Sequence, residues 1–316
     1  MITLRQLRYF DALMETGHFG RAADRCAVTQ PALSMQIKEL EIILGAPLFE
    51  RTSTGVKPTV FGIEAIQRAR GILSAVSDLE RTAHHGADTL AGSFRLGVIP
   101  SVSPGLLPHL LKALPREAPS LVLSLDESVT DRLLVALADG GLDGIVVSVP
   151  PEREDFRYDV ICEDRFLLAA PSHRPVVFPL LPAALDSDDL LLLEEGHCLR
   201  DQALAVCSNI NRKALRRFGA TSMNTLLQLV AADLGVTLVP ELLAPLAQDP
   251  RIALSRFVAP EPSRTLGLVW RASAPRQDGF RRLAAIMRRC LAAAETASWP
   301  YRGLSVPEAA ATEPLT

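Results

Sequence analysis

Two cysteines, Cys198 and Cys207, stand nine positions apart, the first inside the run Gly196-His197-Cys198-Leu199-Arg200-Asp201-Gln202-Ala203-Leu204. The thiolate is the nucleophilic form of cysteine, and helix amino-termini and adjacent cations favour it. His197 and Arg200 are candidate cations within one turn of Cys198. The apolar stretch 190–194 predicts a strand running into Glu195-Gly196, so Cys198 falls near the start of the following helix. Cys198 is therefore the candidate nucleophile. A thiolate that attacks peroxide becomes a sulfenic acid, which condenses with a second thiol, and Cys207 is the nearest one. If residues 198–207 form one regular helix, ~1.5 Å and ~100° per residue put the two Cα atoms about 13 Å apart on opposite faces. A disulfide needs about 7 Å or less, so forming one here must unwind the segment and creates a two-state element. The alternative reading of the same residues is a pair of thiols that pack as small apolar side chains.

The elements that must position this pair have an α/β texture. Strand-like runs at 94–99, 122–125 and 144–149 alternate with helical runs at 106–114 and 130–137, which predicts a largely parallel sheet. A second block spans 162–260, with strands at 166–170, 190–194 and 235–239. One further strand at 266–270 and a helix at 280–294 follow, and beyond Trp299 a Pro, Ala, Glu and Thr-rich tail is expected to be disordered. The first ninety residues read as helical instead. Ala65, Ala69, Ile72, Val76, Leu79 and Ala83 are spaced 4, 3, 4, 3, 4, the seam of a short coiled coil, and predict a dimer through a linker helix.

Composition narrows the class. A chain of 316 residues with 48% hydrophobic and 22% charged residues suits about two globular domains and excludes collagen-like or disordered classes. No apolar run reaches the ~18 residues of a membrane span, and Arg5 and Arg8 precede no signal-peptide core, so a cytoplasmic protein without membrane contact is expected. Five cysteines, Cys26, Cys162 and Cys290 among them, are too few and scattered for a secreted disulfide scaffold. The other three are expected to pack. A net charge of -3 argues against indiscriminate coating of nucleic acid. There is no glycine-rich phosphate loop and no Ser/His/Asp nucleophile elbow, so neither an enzyme nor a cofactor is expected. The His84-His85 pair and the cysteines lack the paired short spacings of a zinc site, so no metal is expected.

Residues 19–44 have the parts of a helix-turn-helix. Ala22-Ala23 allow a close helix crossing, Thr29 can cap the next helix, and Pro31 fits its first turn. An apolar stripe, Leu33, Ile37, Leu40 and Leu44, leaves Gln30, Ser34 and Lys38 on another face, where their lengths suit base edges and phosphates. Pro47, Gly55 and Pro58 around 51–54 suit a hairpin wing. A plain three-helix bundle with a solvated polar face is the alternative.

The runs Phe19-Gly20-Arg21-Ala22-Ala23 and Val28-Thr29-Gln30-Pro31-Ala32-Leu33-Ser34, then Leu40-Glu41, Gly45 and Leu48-Phe49-Glu50-Arg51, closely resemble the amino-terminal signature of LysR-type transcription regulators. The resemblance implies an all-α winged helix-turn-helix at 1–59 and a dimerising linker helix at 60–91. An α/β effector domain of two Rossmann-like subdomains, like a periplasmic binding protein, would follow. Its subdomains are expected at 92–161 with 267–297 and at 162–266, before a tail at 298–316. It also implies a tetramer on promoter DNA in contact with RNA polymerase, with Gln30, Pro31 and Ser34 on bases and Lys38, Arg51 and Thr52 on the backbone. The segment 196–204 with Cys207 resembles the sensor of the hydrogen-peroxide-responsive branch of that family, whose two cysteines are peroxidatic and resolving. The likeness continues through Gly97-Val98-Ile99-Pro100, Leu106-Leu107-Pro108-His109, Ala220-Thr221-Ser222 and Gly235-Val236-Thr237-Leu238-Val239-Pro240. It implies that hydroxyls beside the thiol orient peroxide, with Thr130 at one such position and His197, Arg200 and Asp201 in support. Ser101 stands where that branch usually has threonine. It keeps the hydroxyl but loses a methyl that limits rotation, which bears on the rate of sensing.

Two other functions suit parts of this pattern: a regulator that binds a small metabolite between its subdomains, and a thiol peroxidase. Thiol titration before and after stoichiometric peroxide separates them from a peroxide sensor. The sensor loses two thiols, and the metabolite regulator loses none. The peroxidase turns peroxide over continuously with a thiol reductant and lacks salt-sensitive binding to a promoter fragment.

Overall fold

Thr3 and Gln6 close the first turn of the chain reciprocally. The Thr3 N–H donates to Gln6 Oε1 at 2.9 Å and the Gln6 N–H to Thr3 Oγ1 at 3.2 Å, which satisfies two amides that a helix start leaves orphaned. The helix they open, α1 (Leu4–Thr16), stops at Gly17, whose φ of 62° favours a residue without Cβ. His18 Nδ1 accepts from the Gly20 N–H at 3.0 Å and starts α2 (Phe19–Arg25). Thr29 is the N-cap of α3 (Gln30–Leu44), as its place in the sequence predicts, but its hydroxyl makes no capping hydrogen bond. Pro31, in the first turn, has no N–H and so leaves one donor fewer to satisfy. The structure is a computed structural model that describes residues 1–52, 55–83, 90–151, 153–174, 180–182, 185, 190–194, 196, 198–206, 220–275 and 277–297. The expected tail at 298–316 and the His84-His85 pair lie outside the described residues.

The chain divides into two compact units, Met1–Ala87 with Val135–Asp143, and Asp88–Leu134 with Gly144–Thr316. In the first, α3 leads to a hairpin of β1 (Phe49–Thr52) and β2 (Gly55–Pro58), in register from Phe49 opposite Pro58 to Thr52 opposite Gly55. Glu41 ties α3 to this wing, its carboxylate accepting from the Leu48 N–H at 2.8 Å. Phe10, Leu13, Leu33, Ile37, Leu40 and Leu48 form the buried centre, with Phe10 edge-on to Phe49 at 5.6 Å. The next helix, α4 (Val60–Ala83), is capped by Thr59, whose Oγ1 accepts from the Gly62 N–H at 2.9 Å. The seam read along α4 is only partly available to a partner. Ala69 is buried in this unit's own core, because α1 packs on that face and Asp11 Oδ1 accepts from Arg70 Nε at 2.6 Å. Ile72 and Leu79, seven residues apart, stay 49% and 71% exposed.

The second unit is built on one sheet. The strand β3 (Gly92–Val98) is parallel to β4 (Leu121–Glu127) on one side and to β5 (Gly144–Ser148) on the other. The connecting helices are α5 (Ser103–Glu117) and α6 (Thr130–Ala138). The 16-residue β6 (Phe156–Pro171) runs antiparallel to β9 (Ser263–Arg271), and β9 runs antiparallel to β5. From Phe166 onward β6 changes partners and pairs with β7 (Thr237–Pro240) and β8 (Ile252–Arg256). One long strand therefore threads both α/β halves. Its first half escapes sequence reading because Arg157, Asp159, Glu163 and Arg165 interrupt the apolar pattern. The expected strand at 190–194 is an extended segment held by isolated parallel bridges to two different partners, Leu190 to Val236 and Leu193 to Ala220, so no continuous ladder forms. The remaining elements are α7 (Cys198–Val206), α8 (Met223–Ala231), a 3₁₀ helix (Glu241–Leu246) and α9 (Gln277–Ala297).

Gly62 tests the junction between wing and α4. Replacing a mid-helix glycine by alanine ordinarily stabilises by about 1 kcal/mol. Here the added Cβ would lie 2.2 Å from the Leu48 carbonyl oxygen, a backbone atom that cannot swing aside. Gly62→Ala is expected to lower stability by about 1–3 kcal/mol in denaturant titration, and a stabilised variant would contradict this packing.

Candidate functional site

Cys198 begins α7, as the sequence predicts, two residues after Gly196, whose φ of 93° makes the turn into the helix. The side chain is half-buried and its thiol is free. Leu199 and Ala203 anchor the buried face of α7 in a core that includes Phe166, Leu193 and Leu243. Arg200, expected to stand beside the thiol, instead donates from Nη1 to the Leu193 carbonyl at 2.9 Å and ties α7 to the preceding segment. Asp201 is exposed in the first turn, and neither it nor Arg200 lines the pocket at Cys198. His197 and Cys207 lie outside the described residues.

That pocket is small and partly open to solvent and is lined by Ile99, Pro100, Ser101, Val129, Thr130, Cys198 and Leu199. Residues 99–101 follow the carboxyl end of β3 and residues 129–130 follow that of β4, the edge at which parallel α/β sheets offer their crevices. Ser101 and Thr130, far apart in sequence from Cys198, are thus brought to it as the family resemblance implies. The Thr130 hydroxyl is buried and has no hydrogen-bond partner among the described residues. A second cavity of about 180 Å³ shares Pro100, Ser101 and Leu199 with the first and extends to Glu127, Thr221, Ser222 and Asn224.

Behind Ser101 stands a residue that sequence reading misses. Arg264, only 5% exposed, donates from Nε and Nη2 to Asp164 Oδ2 at 3.0 and 2.8 Å. It also donates from Nη1 to Ser101 Oγ at 2.9 Å and from Nη2 to the Ser101 carbonyl at 3.0 Å. Asp164 Oδ1 accepts in turn from the Leu242 N–H at 3.0 Å. Burial pushes the Asp164 carboxyl above its ordinary range, and the Arg264 charge pulls against that rise. A guanidinium only donates, so Ser101 Oγ must accept from it and keeps its own proton to give elsewhere. Arg264 thus holds the Ser101 side chain through its hydroxyl as well as its backbone through the carbonyl. The bond spans 163 positions and the Asp164 pair 100, and no local pattern announces either.

In the first unit, Gln30, Pro31 and Lys38 are exposed on α3 and Ser34 is half-buried between them. Met35, 58% exposed on the same helix, is an apolar addition that the polar pattern does not reveal. Arg51 and Thr52 lie in β1 of the wing. Burial pushes the thiols of Cys26 and Cys290 up, away from the reactive form. Cys162 is half-buried in β6. Among the described residues no group of three or more His, Cys, Asp or Glu is arranged to hold a metal, and no helix is long and apolar enough to cross a membrane.

Removing the guanidinium while keeping the bulk, as in Arg264→Met, leaves the Asp164 carboxylate buried and unpaired. The expected loss is about 3–5 kcal/mol in denaturant titration. Removing both charges, in Arg264→Met with Asp164→Leu, should restore much of it, and a double variant as unstable as the single would contradict the pairing.

Comparison with known proteins matches residues 4–63 to the bacterial regulatory helix-turn-helix proteins of the lysR family and residues 87–292 to the LysR substrate binding domain. The chain is 39% identical over 290 residues to the DNA-binding transcriptional dual regulator OxyR of Escherichia coli K12, covering 91% of this chain and 95% of that protein. Among solved structures it is similar to a full-length cysteine-to-aspartate variant of OxyR from Pseudomonas aeruginosa. That match has a TM-score of 0.75 and 34% identity and covers 92% of this chain and 96% of the other. A hydrogen-peroxide-bound cysteine-to-serine variant of OxyR from Corynebacterium glutamicum matches with a TM-score of 0.64 and 33% identity, over 94% of this chain and 97% of that one. The chain belongs to the LysR family of bacterial transcription regulators and, within it, to the OxyR branch.

Proposed function

We propose that this chain is a DNA-binding transcription regulator switched by hydrogen peroxide through a reversible Cys198-Cys207 disulfide. The observation that carries the reading is the setting of Cys198, at the first turn of a helix and in a small pocket with two hydroxyls able to hydrogen-bond. Peroxide has two protons to donate and lone pairs on both oxygens. Ser101, already an acceptor from Arg264, is left to donate, and Thr130 is uncommitted among the described residues.

The thiolate of Cys198 attacks one peroxide oxygen, the O–O bond breaks, and hydroxide leaves to take up a proton as water. The sulfenic acid is then attacked by the Cys207 sulfur. The S–S bond forms as the S–O bond breaks, and a second water departs. Two thiols are oxidised and one peroxide is reduced to two waters. A helix over Cys198–Val206 spans about 12 Å between its end Cα atoms. One further Cα step of ~3.8 Å brings the next residue no nearer than about 8.5 Å, still beyond disulfide reach. The bond therefore requires α7 to open. A refolded α7 would rotate a contact between effector domains and reset how paired DNA-binding units span their sites.

The partition that suits this action has subdomains at 92–161 with 267–297 and at 162–266. In the DNA-binding unit, Gln30, Pro31 and Ser34 would meet base edges, and Lys38, Arg51 and Thr52 the phosphates. The working form would be a cytoplasmic tetramer, dimerised through α4, that contacts RNA polymerase. The cavity of about 180 Å³ beside the thiol pocket supports a second reading, a regulator that binds a small metabolite in the cleft between its subdomains.

Cys198→Ser is expected to abolish peroxide-dependent transcription while leaving promoter binding intact, and a fully responsive variant would sink the reading. Mass spectrometry of tryptic peptides after stoichiometric peroxide should find the peptides of Cys198 and Cys207 linked.

A further inference from the structure

Gln202 lies one turn beyond Cys198 on the same face of α7. Its Nε2 donates to Ser148 Oγ at 2.6 Å and its Oε1 accepts from Arg264 Nη1 at 3.4 Å. Ser148 ends β5, and Arg264, on β9, is fixed by Asp164, so Gln202 joins the turn that carries the cysteine to the sheet. The Arg200 tether differs in kind, because it reaches only the extended segment just before α7. With nine residues, α7 is shorter than the ~12 at which an isolated helix begins to persist in water. Tertiary contacts must hold it, and Gln202 supplies a polar one.

We infer that the Gln202–Ser148 hydrogen bond is a latch. It keeps the Cys198 turn seated and sets the rate at which that turn is released when the disulfide closes. The inference rests on the peroxide switch proposed above. Attack on peroxide takes place with α7 in place, in a pocket that Gln202 does not line. Closure is different: the Cys207 sulfur displaces hydroxide from Sγ of the Cys198 sulfenic acid, the S–O bond gives way to the S–S bond, and α7 has to open. Gln202 is thus a positioning residue, and its bond to Ser148 bears on the second step.

The test uses the full-length reduced protein mixed with stoichiometric hydrogen peroxide. Sulfenic acid is trapped with a dione probe and the disulfide is followed by non-reducing mass spectrometry. The variants are Gln202→Met, which keeps length and packing, Ser148→Ala, and the two combined. Sulfenic acid is expected to form at the wild-type rate in Ser148→Ala, which leaves the Gln202 contact to Arg264 in place, and closure is timed from the sulfenic acid in all three. Closure should be about two- to tenfold faster in each single variant, the size of effect that one net hydrogen bond gives. The double variant should be no faster than either, since one bond can be lost only once. Wild-type closure in Ser148→Ala, or rates that multiply in the double variant, would overturn the latch while the peroxide switch stands. If Gln202→Met does not fold, Ser148→Ala on the sheet side decides alone. A wild-type protein that forms sulfenic acid but no disulfide would overturn both.

Discussion

A guanidinium keeps its charge at any pH the fold survives, so a buried arginine obliges the chain to surround it with acceptors. Arg264 meets that demand with groups from elements remote in sequence: the Asp164 carboxylate on β6, the hydroxyl and carbonyl of Ser101 after β3, and the Gln202 amide on α7. Burying such a pair adds little net stability when set against apolar side chains of the same volume. What it supplies is position. The three groups can satisfy the cation only where they now stand, which fixes one wall of the Cys198 pocket and the helix that carries the cysteine.

The same arrangement would let a stable domain contain the opening element proposed above. α7 relies on Leu199 and Ala203 in the core and on polar ties at Arg200 and Gln202. None of these belongs to the β4–β3–β5–β9–β6 ladder. Opening the helix would therefore remove two core side chains and two polar ties while leaving the strand pairing intact. Local instability of this kind is what a switch segment requires.

How much of this was legible in the sequence follows from the range of each interaction. The start of α7 at Cys198, the place of Thr29 and the alternation of β3, α5, β4, α6 and β5 all rest on signals within a few residues, and they were readable. The resemblance to LysR-type regulators added the pocket hydroxyls, which spacing could not supply. Arg264 and Asp164 were not readable, because each looks like an ordinary charged residue until the fold sets them in contact. β6 was read only in its apolar second half. Ala69 fits a dimer seam by spacing but faces α1 of its own chain, an outcome that periodicity along a single helix cannot distinguish.

The hairpin after α3 is held from outside as well as from within. The Val56 N–H donates to the Gly17 carbonyl at 3.2 Å, a Cβ on Gly55 would come within 2.7 Å of that same oxygen, and Glu41 accepts from the first amide of the other strand, Phe49, and from Leu48 before it. The wing thus has its orientation relative to α3 before any duplex arrives. On the DNA-binding reading proposed above, the helix and the two wing strands would have little ordering entropy left to lose on docking.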